Sequence, residues 1–198
     1  MSGDERRAQI VSTAFDLFAQ NGFRGTTTRE LAHAVGVSEP VLYQHFPNKK
    51  ELYTAIVQHM IEVGSAEFCG RMEAVLNEAD ERASLQRLGE LVMAWYLDDP
   101  RMIRLLLFSA LEGHELAEIW HTQVVTAFFA PFEAKLARLA DVGRLKKMEP
   151  TVLMRSFVGM VAHYSLITIL FKHRQFDLDR KATVARFVDI FISGAERR

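Results

Sequence analysis

The residues best suited to chemistry lie in one short run, VGVSEPVLYQHFPNKKEL, residues 35–52. Glu39, Pro40, Val41, Tyr43, Gln44 and His45 crowd together there, with Lys49 and Lys50 just beyond. These types suit recognition. Amide and carboxylate groups meet base edges, apolar surface meets thymine methyls, and hydroxyl, imidazole and ammonium groups reach phosphate oxygens. In a helix over residues 38–46, Val37, Leu42 and Phe46 face inward and the polar set is left outward or lateral.

Catalytic patterns are missing from the chain. It holds no P-loop, no Gly-x-Ser-x-Gly elbow, no His-Glu-x-x-His and no paired-cysteine metal pattern. The expectation is a non-enzyme with no cofactor and no metal. His114, Glu118 and His121 share one helix face by spacing, but no fourth ligand is evident and they read as a solvated patch. Cys69, the one cysteine, excludes an intrachain disulfide and reads as a packed small residue.

The elements that must position the run are helical, and strand signals are nearly absent. A first helix over residues 4–20 carries Ile10, Ala14, Leu17 and Phe18 and ends at Asn21-Gly22. Thr27 followed by Glu30 makes a capping box for a second helix, which Gly36 stops. Ser38 caps the third, Pro40 sits in its first turn, and Pro47 ends it. Asn48 opens a long fourth helix whose far end, within residues 64–82, is open between helix and loop. Longer helices richer in Met and Phe follow over 84–97, 100–111, 115–139, 151–171 and 178–194. The fold class is all-α with about nine helices: residues 1–50 form a helix-turn-helix three-helix domain, and 51–198 a larger helical body, which the resemblance described below makes a ligand-binding and dimerisation domain.

The 198 residues are 49% hydrophobic, with 24 Lys plus Arg against 25 Asp plus Glu. A purely electrostatic nucleic-acid wrapper would be more basic, so DNA contact has to come from a small shaped patch. Even residues 1–54 are neutral, with six charges of each sign. The charged N-terminus lacks a signal-peptide core, and the apolar stretch 159–171, interrupted by His163, is short for a bilayer. A cytoplasmic protein without a membrane partner is expected.

The run GFRGTTTRELAHAVGVSEPVLYQHFPNKKEL, residues 22–52, resembles the DNA-binding domain of the tetracycline-repressor (TetR) family. It has the Gly-aromatic step, the Thr pair, the Gly-Val-Ser turn, the Leu-Tyr-x-His-Phe helix and the Lys followed by Leu. The resemblance implies that Thr27 and Thr28 face phosphates and that Arg29 reaches DNA. It places Glu39, Pro40, Val41 and Gln44 on or beside the base-reading face, and gives Tyr43, His45 and Lys49 backbone contacts. Glu39 departs from the basic, polar or small residue usual there. Its carboxylate either accepts from a cytosine amino group or points aside.

Beyond residue 64 no motif guides the reading. Aromatic and Met residues at helical spacing are core first. The resemblance implies a ligand cavity, for which Met93, Tyr96, Phe108, His121, Phe128, Met154, Phe157, Met160 and His163 are the candidates, with a mainly hydrophobic small molecule as effector. Val184, Phe187, Val188, Phe191 and Ile192 form a wide apolar stripe, and Gly159 and His163 lie on a face that admits a close neighbour. The resemblance implies that Gly159, His163, Val184, Phe187, Val188 and Phe191 build a homodimer interface. The expected function is a ligand-responsive transcriptional repressor on a near-palindromic operator. The alternative is a helical small-molecule-binding protein that no longer reads DNA.

Overall fold

The computed structural model describes residues 3–113, 116–171 and 179–195. Helices and turns account for them: α1 Gly3–Asn21, α2 Thr28–Val35, α3 Glu39–His45, α4 Lys49–Leu76, α5 Glu81–Leu97, α6 Arg101–Leu111, α7 Leu116–Trp120, α8 Thr126–Asp141, α9 Pro150–Phe171 and α10 Arg180–Ala195. A π-helical turn, His121–Val125, joins α7 to α8. The helix expected over 115–139 is therefore one helical run with a π turn inside it. The segment left open after residue 64 is helix as far as Leu76.

Two compact units divide the chain, Met1–Ala66 with Arg101–Val124, and Glu67–Pro100 with Val125–Arg198. In the first, α1 packs on α2 and α6, α2 on α3, and α6 on α7. Ile10, Phe18, Leu31, Leu52, Tyr53 and Ile56 are its floor, each at most 1% exposed. Phe18 and Tyr53 meet edge to face at 4.9 Å between ring centres, and Phe23 closes on Tyr53 at 5.2 Å. Aromatic pairs in these arrangements add to what burial alone supplies. The Tyr53 hydroxyl donates to the Leu105 carbonyl of α6 at 3.1 Å. Burial first, and then the Glu112 carboxylate, hold its ionisation well above the ordinary phenol range.

In the second unit, α5 packs on α9 and α10, α8 on α9, and α9 on α10. Phe157 is its centre, fully buried, with Phe191 at 5.3 Å and Phe132 at 6.1 Å. Gly89 lets α10 come close, since a Cβ there would lie 2.5 Å from a Val184 methyl. The Lys135 ammonium donates to the Leu76 carbonyl at the end of α4 and to the Ser84 hydroxyl, both at 2.8 Å. This supplies an orphan carbonyl of the helix end with a donor. Burial pulls the Lys135 pKa down, against the opposing fields of Glu81 and Glu78.

The apolar stretch extends further than residues 159–171, because α9 starts at Pro150. By length and composition α9, with a mean hydropathy of 1.4, is long enough to cross a membrane. Here Leu153, Met154, Phe157, Val161 and Ser165 are its buried face, packed among α5, α8 and α10.

Candidate nucleic-acid interface

Local sequence sets the geometry of α2, the turn and α3. Thr27 holds extended backbone and its hydroxyl accepts from the Glu30 N–H at 3.2 Å. The Glu30 carboxylate accepts from the Thr27 N–H at 2.8 Å, which completes the capping box. Those bonds, the backbone one first, lower the Glu30 pKa. Gly36 ends α2 with φ +77°, a conformation that costs a side-chain-bearing residue steric strain. Three residues later α3 begins. Ser38 stands at its cap by backbone geometry, but its hydroxyl makes no capping bond there.

Leu42 and Phe46, each 2% exposed, pin α3 to the floor. Pro40, Gln44 and Tyr43, the last 43% exposed, face outward, and Val41 and His45 are half-buried flanks. Thr27 and Arg29 are exposed at the start of α2. The structure thus collects nine of the ten DNA-contact candidates on the α2–α3 surface. Thr28 and Glu39 also touch each other, the Thr28 hydroxyl donating to the Glu39 carboxylate at 2.9 Å.

Lys49, the tenth, has another partner set. Its ammonium donates to the Phe23 and Thr26 carbonyls at 2.7 and 2.8 Å and lies 4.3 Å from the Phe23 ring centre. Burial lowers its pKa, with Glu112 opposing. Two of its three N–H groups therefore hold the α1–α2 loop, leaving one for any phosphate.

Three supports escaped the sequence reading. The Arg7 guanidinium donates to the His45 carbonyl at 2.6 Å and stacks 4.0 Å over Phe46, capping the end of α3 from α1. Glu112, after α6, accepts from the backbone N–H of Phe23 at 3.1 Å and of Arg24 at 3.2 Å. Arg104 donates to the Ala19 carbonyl at 2.8 Å, at the end of α1. Each partner is 38 to 89 residues away, so no local spacing announces it.

The remaining candidates are dispersed. Met93, Met154 and Phe157 are buried in the core of the second unit, as is Phe128 against Phe68 at 4.9 Å. Tyr96 is half-buried against Trp95 at 5.0 Å and its pKa is raised by burial; Met160 is half-buried and His163 exposed. Phe108 and His121 belong to the first unit, half-buried and exposed. None of the nine walls either of two grooves: one of about 460 Å3 between α1 and α4, or one of about 300 Å3 among α5, α8 and α10. Among the interface candidates, Val184, Val188 and Phe191 are buried within the protomer's own core. Phe187 is half-buried beside Tyr164, and Gly159 and His163 are exposed. His114 lies outside the described residues, and among those described no cluster of three metal-ligating side chains occurs.

Residues 10–56 match the bacterial regulatory proteins of the tetR family. The HTH-type transcriptional activator FasR of Mycolicibacterium smegmatis is 34% identical over 103 residues, 52% of this chain and 46% of that protein. The chain therefore matches about half the length of that relative. The HTH-type transcriptional regulator RutR of Escherichia coli K12 is 26% identical over 160 residues, 81% of this chain and 74% of that one. The structure of the transcriptional regulator FadR from Bacillus subtilis in complex with stearoyl-CoA shares the fold, with a TM-score of 0.71 at 17% identity over 94% of this chain and 98% of that one. The α2–α3 surface lies within the stretch that matches the tetR-family regulators, whose helix-turn-helix it resembles.

Proposed function

We propose that the protein is a homodimeric, cytoplasmic, non-enzymatic repressor that a mainly hydrophobic small molecule releases from a near-palindromic operator. One observation carries the DNA half of this reading. An α3 held by buried Leu42 and Phe46 and, at its end, by Arg7 turns Pro40, Tyr43 and Gln44 outward. A rigid short helix with polar and aromatic groups on its free face is what a major groove accommodates.

The dimer half draws on α9 and α10. Val152, Ser156, Gly159, His163 and Leu170 recur on the exposed side of α9, with Val152 49% and Leu170 48% exposed. On α10, Ile190 is 61% exposed. Apolar surface interleaved with Gly and Ser suits close approach of a twofold mate, and two recognition helices about 34 Å apart then meet one face of DNA. The effector half rests on the Met- and Phe-rich second unit, and the acyl-CoA bound by Bacillus subtilis FadR supports an acyl-bearing class. Effector coupling of this kind is worth about 1–3 kcal/mol. In this reading residues 1–50 serve DNA and residues 51–198 the ligand and the dimer.

A second reading has one observation behind it. Lys49 is turned to loop carbonyls, and residues 1–54 carry no net charge, which suits a helical small-molecule-binding protein that no longer reads DNA. Selection from a random duplex library at low salt separates the two. The regulator enriches an inverted repeat, loses it in Tyr43→Ala/Gln44→Ala, and releases the duplex as salt rises through counterion exchange. The alternative enriches nothing. Stearoyl-CoA added to the enriched duplex complex then tests the effector class by release.

A further inference from the structure

We propose that Glu39 is a specificity-determining residue, its carboxylate accepting from the exocyclic amino group of cytosine at one fixed position in each operator half-site. This rests on the DNA-binding reading above. Glu39 is the first residue of α3 and lies one turn before Tyr43 on the same outward row. Its side chain is half-buried, and the Thr28 hydroxyl donates to one of its oxygens at 2.9 Å. Among the described residues that hydroxyl is its one polar partner, and no cation neutralises it.

An ionised carboxylate is acceptor-only, with about four lone-pair sites, of which Thr28 fills one. The second oxygen is left for whatever the helix approaches. Phosphate oxygens repel it. Of the major-groove edges, guanine N7 and O6 and thymine O4 are acceptors and repel it as well. Donors are found only at cytosine N4 and adenine N6. Adenine N6 is flanked by acceptors on both sides, its own N7 and the paired thymine O4, whereas cytosine N4 has an acceptor, the paired guanine O6, on one side only. A group that can only accept therefore favours cytosine. Thr28, fixed at the start of α2 beside the capping box, holds the carboxylate in place before DNA arrives, which reduces the ordering cost of the contact.

The experiment is selection from a random duplex library with the full-length wild type, Glu39→Gln and Glu39→Ala, comparing base frequencies position by position. Wild type is expected to enrich an inverted repeat with cytosine at one mirrored position, favoured on the order of tenfold in affinity over other bases. Glu39→Ala keeps the repeat and flattens that position alone, so the retained positions report folding. Glu39→Gln moves the preference to adenine, because an amide offers a donor and an acceptor to N7 and N6. Identical base preferences in all three proteins would overturn the proposal and leave Glu39 as a tether for Thr28. No repeat from the wild type would overturn the DNA-binding reading, and this inference with it.

Discussion

The two units are held together by different physics. In the first, short helices are pinned by polar contacts from distant residues: Arg7 on the end of α3, Glu112 on the Phe23–Arg24 backbone, Lys49 on the Phe23 and Thr26 carbonyls, and Tyr53 on Leu105. In the second, long helices close on a Phe132–Phe157–Phe191 cluster, with polar ties at its margins from Lys135 to Leu76 and Ser84, Gln86 to the Lys181 carbonyl, and Arg180 to Asp98. A seven-residue helix such as α3 has little stability of its own, so its outward face is only as well placed as its pins. Long helices with wide apolar faces depend less on such pins. They are free to carry their function in the shape of the interior.

The largest break in this contrast is Phe157→Ala, which empties the centre of the second unit. It is expected to cost about 3–5 kcal/mol, read as a lower urea midpoint. A loss under 1 kcal/mol would mean that the cluster is not the core. Next is Glu112→Ala, which leaves two loop N–H groups without their acceptor, at a cost of about 1–3 kcal/mol. Amide exchange at Phe23 and Arg24 should speed up more than exchange in α9, and an equal change in both would blur the distinction between the units. Thr27→Ala removes the α2 cap for about 1 kcal/mol.

The smallest effect is one of pH. The Glu30 pKa is lowered on folding from an ordinary 4.5, so the capping box adds stability above that value and loses it as pH falls through the lowered one. Glu30→Gln should flatten this acid limb without moving the neutral-pH behaviour of the second unit. An unchanged acid limb would show that the Glu30 contacts do not persist in solution.

The same contrast explains what the sequence discloses. Thr27, Glu30, Gly36 and Pro40 act on backbone within a few residues of themselves, so their spacing reveals α2, the turn and α3. Asn48 is legible for the same reason, its side chain accepting from the Glu51 N–H at 2.9 Å. Arg7 and Glu112 act across the fold, and nothing near them in sequence distinguishes them from solvated charges. The loop role of Lys49 is not legible in the sequence because its carbonyl partners sit more than twenty residues earlier. The stripe of Val184, Val188 and Phe191 is periodic in any case, and periodicity cannot tell a helix's own core from a partner's. Only burial separates Val184, fully buried, from Ile190, 61% exposed. The π turn between α7 and α8 shifts the register without leaving a Pro or Gly to mark it.

The central claim is that a pinned α2–α3 surface, not the second unit, meets DNA. Amide hydrogen exchange of the full-length protein with and without its selected duplex tests that most directly. Slower exchange confined to residues 27–29 and 39–45 and to the loop that Lys49 and Glu112 hold is the expected result. Protection that instead falls on α8, α9 or α10, or no protection anywhere under saturating duplex, would contradict it.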